Sequence, residues 1–325
     1  MSSPYLAGAS AGAAAAAGSA AERAARPGPR AGKGGWYDPR TAAWMVAPAV
    51  LLIALFTLYP YAYALWSSFQ MLSPILPPSF AGTFNYESVI TSSYFVDAVV
   101  NTLVFVAISA PFILCLGVAV AALFTQRFLG ARFLKAIILL PWAIPSSIAG
   151  VVWKWVFADS FGALNASLFS LGVISNYIPW LSTKETAVAI VIMAYAWTQF
   201  PFAAVLALAA MQAIPSELYE AAQLDGCGAW RRFLHITLPI TRPMLAIIAI
   251  YEVLVGLTTF DITYSLTGGG PGTATTYIGY FTFAESFKML NFGNGAALAV
   301  LMATASLVLI FAMLQALPRD ALLER

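Results

Sequence analysis

TAVAIVIMAYAWTQFPFAAVLALAAMQAIPS, residues 186–216, contains no Asp, Glu, Lys or Arg. Glu185 and Glu217 bracket the run. A helix needs about 20 predominantly apolar residues to cross the hydrocarbon of a bilayer. The run therefore predicts a membrane span over about 187–210. The same test, applied outward, finds five more. Arg40 and Glu87 bracket a charge-free stretch that predicts a span at about 44–66. Asp97 and Arg127 bracket another, at about 98–124. Lys135 and Lys154 mark one at about 134–157. A fifth, about 243–266, is apolar apart from Glu252 and Asp261, and Lys288 and Arg319 bracket the sixth, about 295–317. The expected fold class is all-α, a polytopic membrane protein with six transmembrane helices.

Composition agrees. Of 325 residues, 61% are hydrophobic and 9% charged, with a mean hydropathy of +0.81. Soluble domains carry about 25% charged residues. This excludes a soluble enzyme, a nucleic-acid-binding domain and, for most of the length, a disordered chain. Cys115 and Cys227 are the two cysteines. They do not make a disulfide framework, nor a zinc site with the single histidine, His235. Residues 1–40 form a separate zone, rich in Ala and Gly and then basic. Its apolar part is mostly Ala, too weak for a signal-peptide core, with the charges on the wrong side. It reads as a disordered cytoplasmic tail, followed by a transmembrane domain over 41–325.

Basic residues accumulate on the cytoplasmic side of membrane proteins. The tail, the 125–135 and 211–242 loops and the C-terminal end hold thirteen of the 16 Lys and Arg. The alternate loops hold two, Lys184 and Lys288, with Lys154 near the end of the third span. Both termini are expected in the cytoplasm. Pro141, Pro145 and Pro201 fall inside predicted spans, where proline bends or breaks a helix. Freed carbonyls in a bilayer need protein or a water-filled cavity beside them, which suits either a transport pathway or a packing kink.

The 211–242 loop, MQAIPSELYEAAQLDGCGAWRRFLHITLPITR, carries the mechanism. Pro215 and Ser216 open a short helix, and Glu217 and Glu220 lie near its positive start. Gly226 and Gly228 end it. A second short helix is expected over Trp230–Ile236, stopping at Pro239. A helix–glycine–helix knob of this kind suits docking into a groove on a partner.

Glu220-Ala221-Ala222, then Asp225-Gly226, then Ile236, Leu238 and Pro239, resembles the EAA signature of binding-protein-dependent ABC import permeases. In that family the loop is a coupling helix seated in a cleft of the ATPase. The segments Leu139–Asn165 and Phe260–Val300 are similar to those of carbohydrate permeases of the maltose-permease type. The resemblance covers about residues 44–317. It implies a type I ABC importer permease fold in the cytoplasmic (inner) membrane, and a sugar as cargo. It implies as partners a second permease, two ATPase subunits, an extracytoplasmic sugar-binding protein and membrane lipid, with no nucleic acid. A polyol or glycerol-phosphate ester is the alternative cargo, and an ion-coupled carrier using Glu252 the alternative mechanism. No Walker A sequence occurs, so the chain is read as a non-enzyme without cofactor or metal, its ATP and Mg bound by the partner. Gly268-Gly269-Gly270-Pro271-Gly272 lacks a following G-K-[ST] and reads as an external turn.

The resemblance also places the substrate pathway. The matching positions are Trp142 and Ser146 in the third span, and Thr198, Gln199 and Phe202 in the fourth. In the fifth they are Glu252, Gly256 and Thr259. Hydroxyl-rich ligands want such polar groups, and sugar ring faces want Trp or Phe. A charge at the bilayer centre costs roughly 2.5–3.5 kcal/mol on insertion scales, so Glu252 is expected to face an interior cavity or pair with the companion subunit. Asp261 lies nearer the outer interface and is given a structural role.

Overall fold

The computed structural model describes residues 39–75, 77–126 and 128–316. The tail expected over 1–40 lies outside these residues except for its last two positions. The chain divides into two units after Tyr61. The described part of the first belongs to helix α1, which begins at Pro39 and runs to Ser67, its ladder widening into a π turn at Ala54–Leu58.

In the second unit, strands β1 (Gln70–Met71) and β2 (Ser79–Phe80) pair antiparallel, Gln70 opposite Phe80. Helices α2 (Phe84–Ile90), α3 (Ser93–Thr125), α4 (Ala131–Ala143), α5 (Ser146–Val156) and α6 (Ala163–Ser170) follow. Then come α7 (Lys184–Gln212), α8 (Ser216–Leu224) and α9 (Ala229–Leu257). Short helices α10 (Asp261–Leu266) and α11 (Ile278–Phe283) precede α12 (Phe292–Ala316). Among the described residues five helices are long and apolar enough to cross a membrane, or six if the bent pair α4–α5 counts as one span.

The core lies where α3 runs along α7 and both meet α9. Phe105 and Ile113 of α3, Val191 and Tyr195 of α7, and Ile248 of α9 are among its fully covered side chains. Ala194, Ala203 and Ala207 keep the buried face of α7 narrow. Small residues let membrane helices approach closely, which is how packing is gained where lipid is as apolar as the core. A second cluster joins Val89, Ala98, Ile278, Phe281 and Leu298 from α2, α3, α11 and α12.

Three expectations need correcting. The third span is two helices meeting at 97°. Pro145 and the preceding Ile144 are extended, with ψ of 133° and 128°. The proline ring forbids the residue before it the helical region, and that residue swings the chain. Pro201, by contrast, leaves α7 unbroken, so only one of these spans is interrupted.

The second short helix of the 211–242 loop is not separate. It runs through a π turn, Phe233–Thr237, directly into the fifth span. Leu238 donates its N–H to Phe233 five residues back. The widened turn falls just before Pro239, the residue with no N–H to give, so proline continues the helix instead of ending it. The fifth span in turn stops at Leu257, not near 266. Thr258–Phe260 leave the helix, and α10 turns to pack on α5. Gly150 permits that contact: a Cβ there would clash with Ser265 Oγ and sit 3.0 Å from Ile262 O. Asp261 is the exposed first residue of α10, where its charge complements the helix start.

The Gly268–Gly272 segment is a turn. Thr275 and Thr276 donate their hydroxyls to the carbonyls of Gly270 and Gly269, at 2.7 and 3.1 Å. The turn is tied to α3: Asn101 Nδ2 donates to Thr273 O at 2.7 Å, and Thr273 Oγ1 donates to Asp97 Oδ2 at 2.9 Å.

Candidate functional site

The candidate residues fall into two groups on different parts of the second unit. The first is the bend from α7 to α9. Pro215 precedes α8, and Glu217 lies in its first turn. No residue of α8 is buried. Glu220, Ala221, Asp225 and Gly226 are exposed, and Ala222 is half-buried. The helix ends in a Schellman arrangement: Cys227 N–H donates to Ala222 O at 2.9 Å and Gly226 N–H to Gln223 O at 3.0 Å. This closure needs a left-handed residue, and Gly226 supplies it at φ +77°. Nothing lies within 4 Å of a Cβ added there, so backbone conformation and not space selects glycine.

One tether holds α8 to α9. The hydroxyls of Tyr219 and Thr237 are 2.9 Å apart, and Thr237 is buried in the π turn. Ile236, Leu238 and Pro239 are half-buried beside it. The downstream part of the motif is thus the seat of α8, and the Glu220–Gly226 part is the free face. Leu224 is 90% and Trp230 71% exposed. Large apolar side chains left uncovered beside Glu220 and Asp225 make an amphipathic knob of the kind that fills a groove. His235 is exposed, its Nδ1 3.0 Å from Arg231 O.

The second group lies along α4, α5, α7 and α9. Trp142 of α4 stacks on Phe202 of α7, ring centres 5.4 Å apart and planes within 19°. Phe202 also meets Tyr251 of α9 at 4.7 Å. The three rings form a continuous aromatic track across three helices, with Trp142 49% exposed. Thr198 and Gln199 lie within about one turn of Phe202 on α7. Thr198 is buried and donates to Tyr195 O at 2.8 Å; Gln199 Nε2 reaches Thr198 Oγ1 at 3.4 Å.

Glu252 follows Tyr251 in the chain and is buried where Tyr251 is half-buried. It is 1% exposed, and neither carboxylate oxygen has a hydrogen-bond partner among the described residues. The Tyr195 hydroxyl is also buried without a partner among them, 3.9 Å from where a Cβ on Gly256 would sit. Gly256, one turn on, is buried against Val106 and Phe105 of α3. Thr259 is half-buried in the segment after α9, and Ser146 is half-buried at the start of α5, just past the 97° bend. The candidates therefore divide into an accessible aromatic track and polar residues that are buried or half-buried, Glu252 and Thr198 the most deeply. Sequence reasoning missed Tyr195 and Tyr251. Tyr195 is signalled by its helical spacing to Thr198 and Phe202, which puts all three on one face.

Residues 95–319 match the family model described as binding-protein-dependent transport system inner membrane component. The chain is 36% identical to the sulfoquinovosyl glycerol transport system permease protein SmoG of Agrobacterium fabrum, over 83% of this chain and 88% of that one. It is 35% identical to the trehalose/maltose transport system permease protein MalF of Thermococcus litoralis, over 82% and 89% respectively. Among solved structures, a bacterial ABC transporter that imports the acidic polysaccharide alginate has a chain superposing with a TM-score of 0.72. That match covers 85% of this chain and 95% of that one at 21% identity, a likeness of fold.

Proposed function

Because the chain belongs to the family of inner-membrane components of binding-protein-dependent transport systems, we propose that it is the permease subunit through which a sugar crosses the membrane. An extracytoplasmic binding protein delivers the sugar, and two copies of a partner ATPase drive the cycle. A second, different permease completes the pathway. The termini and α8 lie on the cytoplasmic side, in keeping with thirteen of 16 basic residues in those segments. The observation that carries the reading is α8 itself: a helix with no buried residue, closed by a left-handed glycine and fastened to a membrane-length helix by a hydroxyl pair. Force applied to α8 passes through Tyr219 and Thr237 into α9, the helix that bears Tyr251 and Glu252. Closure of the ATPases then shifts the spans between two packings, a population shift driven by nucleotide.

The cargo side of the reading rests on the aromatic track. Pyranose rings present apolar faces that stack on Trp, Phe and Tyr, while their hydroxyls seek groups such as Gln199 and Thr198. A glycerol-phosphate ester is the weaker alternative, since its phosphate calls for basic side chains and none of the candidate pathway residues is Lys or Arg. An ion-coupled carrier leaves α8 without a purpose.

The test is ATP-dependent uptake by the reconstituted complex, using a panel of radiolabelled sugars with the cognate binding protein. Phe202→Ala removes the middle of the track, and an aromatic contact is worth about 0.5–1.5 kcal/mol. KM for uptake should rise roughly two- to tenfold, with basal ATP hydrolysis unchanged. An unaltered KM removes the track from the pathway.

A further inference from the structure

A cavity of about 1070 Å³ opens between α3, α7, α8 and α9, apart from the aromatic track. Leu114 and Val118 of α3, Met211 of α7 and Leu245 of α9 are among its apolar walls. Gln126 beyond the end of α3, Gln212 at the end of α7, Tyr219 of α8 and Arg232 near the start of α9 line it as well, so its polar groups belong to the α8 ends of these helices. Among the described residues that line it, Arg232 is the one that is charged. From Leu114 to Gln126 the groove follows α3 for about 18 Å at 1.5 Å per residue. That is close to one leaflet, half of a hydrocarbon core about 30 Å thick.

We infer that this groove holds an anionic phospholipid of the cytoplasmic leaflet, its acyl chains along α3 and its phosphate at Arg232. The match lies in the make-up of the walls: an apolar stretch of about leaflet depth along α3, with hydrogen-bonding groups and the Arg232 cation at the helix ends next to α8. The occupant has a consequence for coupling, because Tyr219 both lines the groove and tethers α8 to Thr237. A lipid in place stiffens the seat of the docking helix. The inference takes from the proposed function only the side of the membrane on which α8 lies; lipid binding itself is measured without transport.

The experiment is native mass spectrometry of the assembled transporter, purified in mild detergent and offered phosphatidylglycerol and phosphatidylcholine with the same acyl chains. One arginine near a membrane surface favours an anionic lipid about fivefold, so wild type should retain phosphatidylglycerol over phosphatidylcholine by about that factor. Arg232→Gln should keep lipid and lose the preference. Ala119→Trp, which fills the groove from an exposed position on α3, should lose both lipids while assembling normally. An unchanged preference in Arg232→Gln, or unchanged retention in Ala119→Trp, overturns the proposal. So does crosslinking of Cys115, on the groove wall, to a companion permease, which would put a protein helix there.

Discussion

Gly226→Val is expected to cut uptake by more than about tenfold while the spans fold and insert normally. The residue sits at φ +77° in the closure of α8, with open space around it. A β-branched side chain there costs roughly 1–2 kcal/mol of backbone strain. In a buried helix, packing would absorb that cost. Here no residue of α8 is buried, and one hydroxyl pair tethers it, so the strain unwinds the last turn or redirects the chain into α9. The Glu220–Asp225 face then no longer fits its groove. Uptake and substrate-stimulated ATP hydrolysis should fall together, with thermal unfolding of the permease unmoved. Gly226→Asn is the control: asparagine tolerates the left-handed region, and it should restore most of the activity. Loss of activity in Gly226→Asn as well would mean that the side chain, not the backbone, disturbs the site.

The second large effect is at Glu252. Holding this carboxyl at membrane depth with no partner among the described residues is expensive, roughly 2.5–3.5 kcal/mol on insertion scales. A purely structural residue would not keep such a cost. Glu252→Ala should therefore leave the unfolding midpoint unchanged or raised, and assembly with the ATPase intact, yet lower uptake by about tenfold or more. Glu252→Gln keeps shape and hydrogen-bonding capacity and separates charge from volume. If Glu252→Ala instead releases the companion permease, the carboxyl is an intersubunit partner. If uptake is unchanged, Glu252 takes no part in the pathway.

Much of this was legible before any coordinates. Charge-free runs locate the spans because a bilayer penalises charge steeply, and their edges are marked by residues such as Glu185 and Glu217. Pro145 announced a disruption, but the 97° turn depends on the extended pair Ile144–Pro145 and on the packing of α10 against Gly150. That contact is long-range and leaves no local pattern. Pro239 misled for the opposite reason: one widened turn absorbs the missing N–H, and nothing in the residue types of Phe233–Thr237 signals a π turn.

Of the candidate residues, the Glu220–Pro239 motif was readable as a unit because it is contiguous. Its division into a free face and a buried seat was not, since this follows from the Tyr219–Thr237 contact. The track was half visible. Trp142 and Phe202 were named separately, but their stacking joins α4 to α7, and Tyr251 was overshadowed by its acidic neighbour Glu252.

The central claim is that α8 transmits force from a nucleotide-driven motor. Its most direct test is site-specific crosslinking from Ala221→Cys, an exposed position on α8, with Cys115 and Cys227 replaced by serine. In the assembled transporter the account predicts a crosslink to the ATPase subunit and protection of the thiol from a membrane-impermeant reagent added outside. A thiol that reacts from outside, or one that finds no ATPase beside it, contradicts the account.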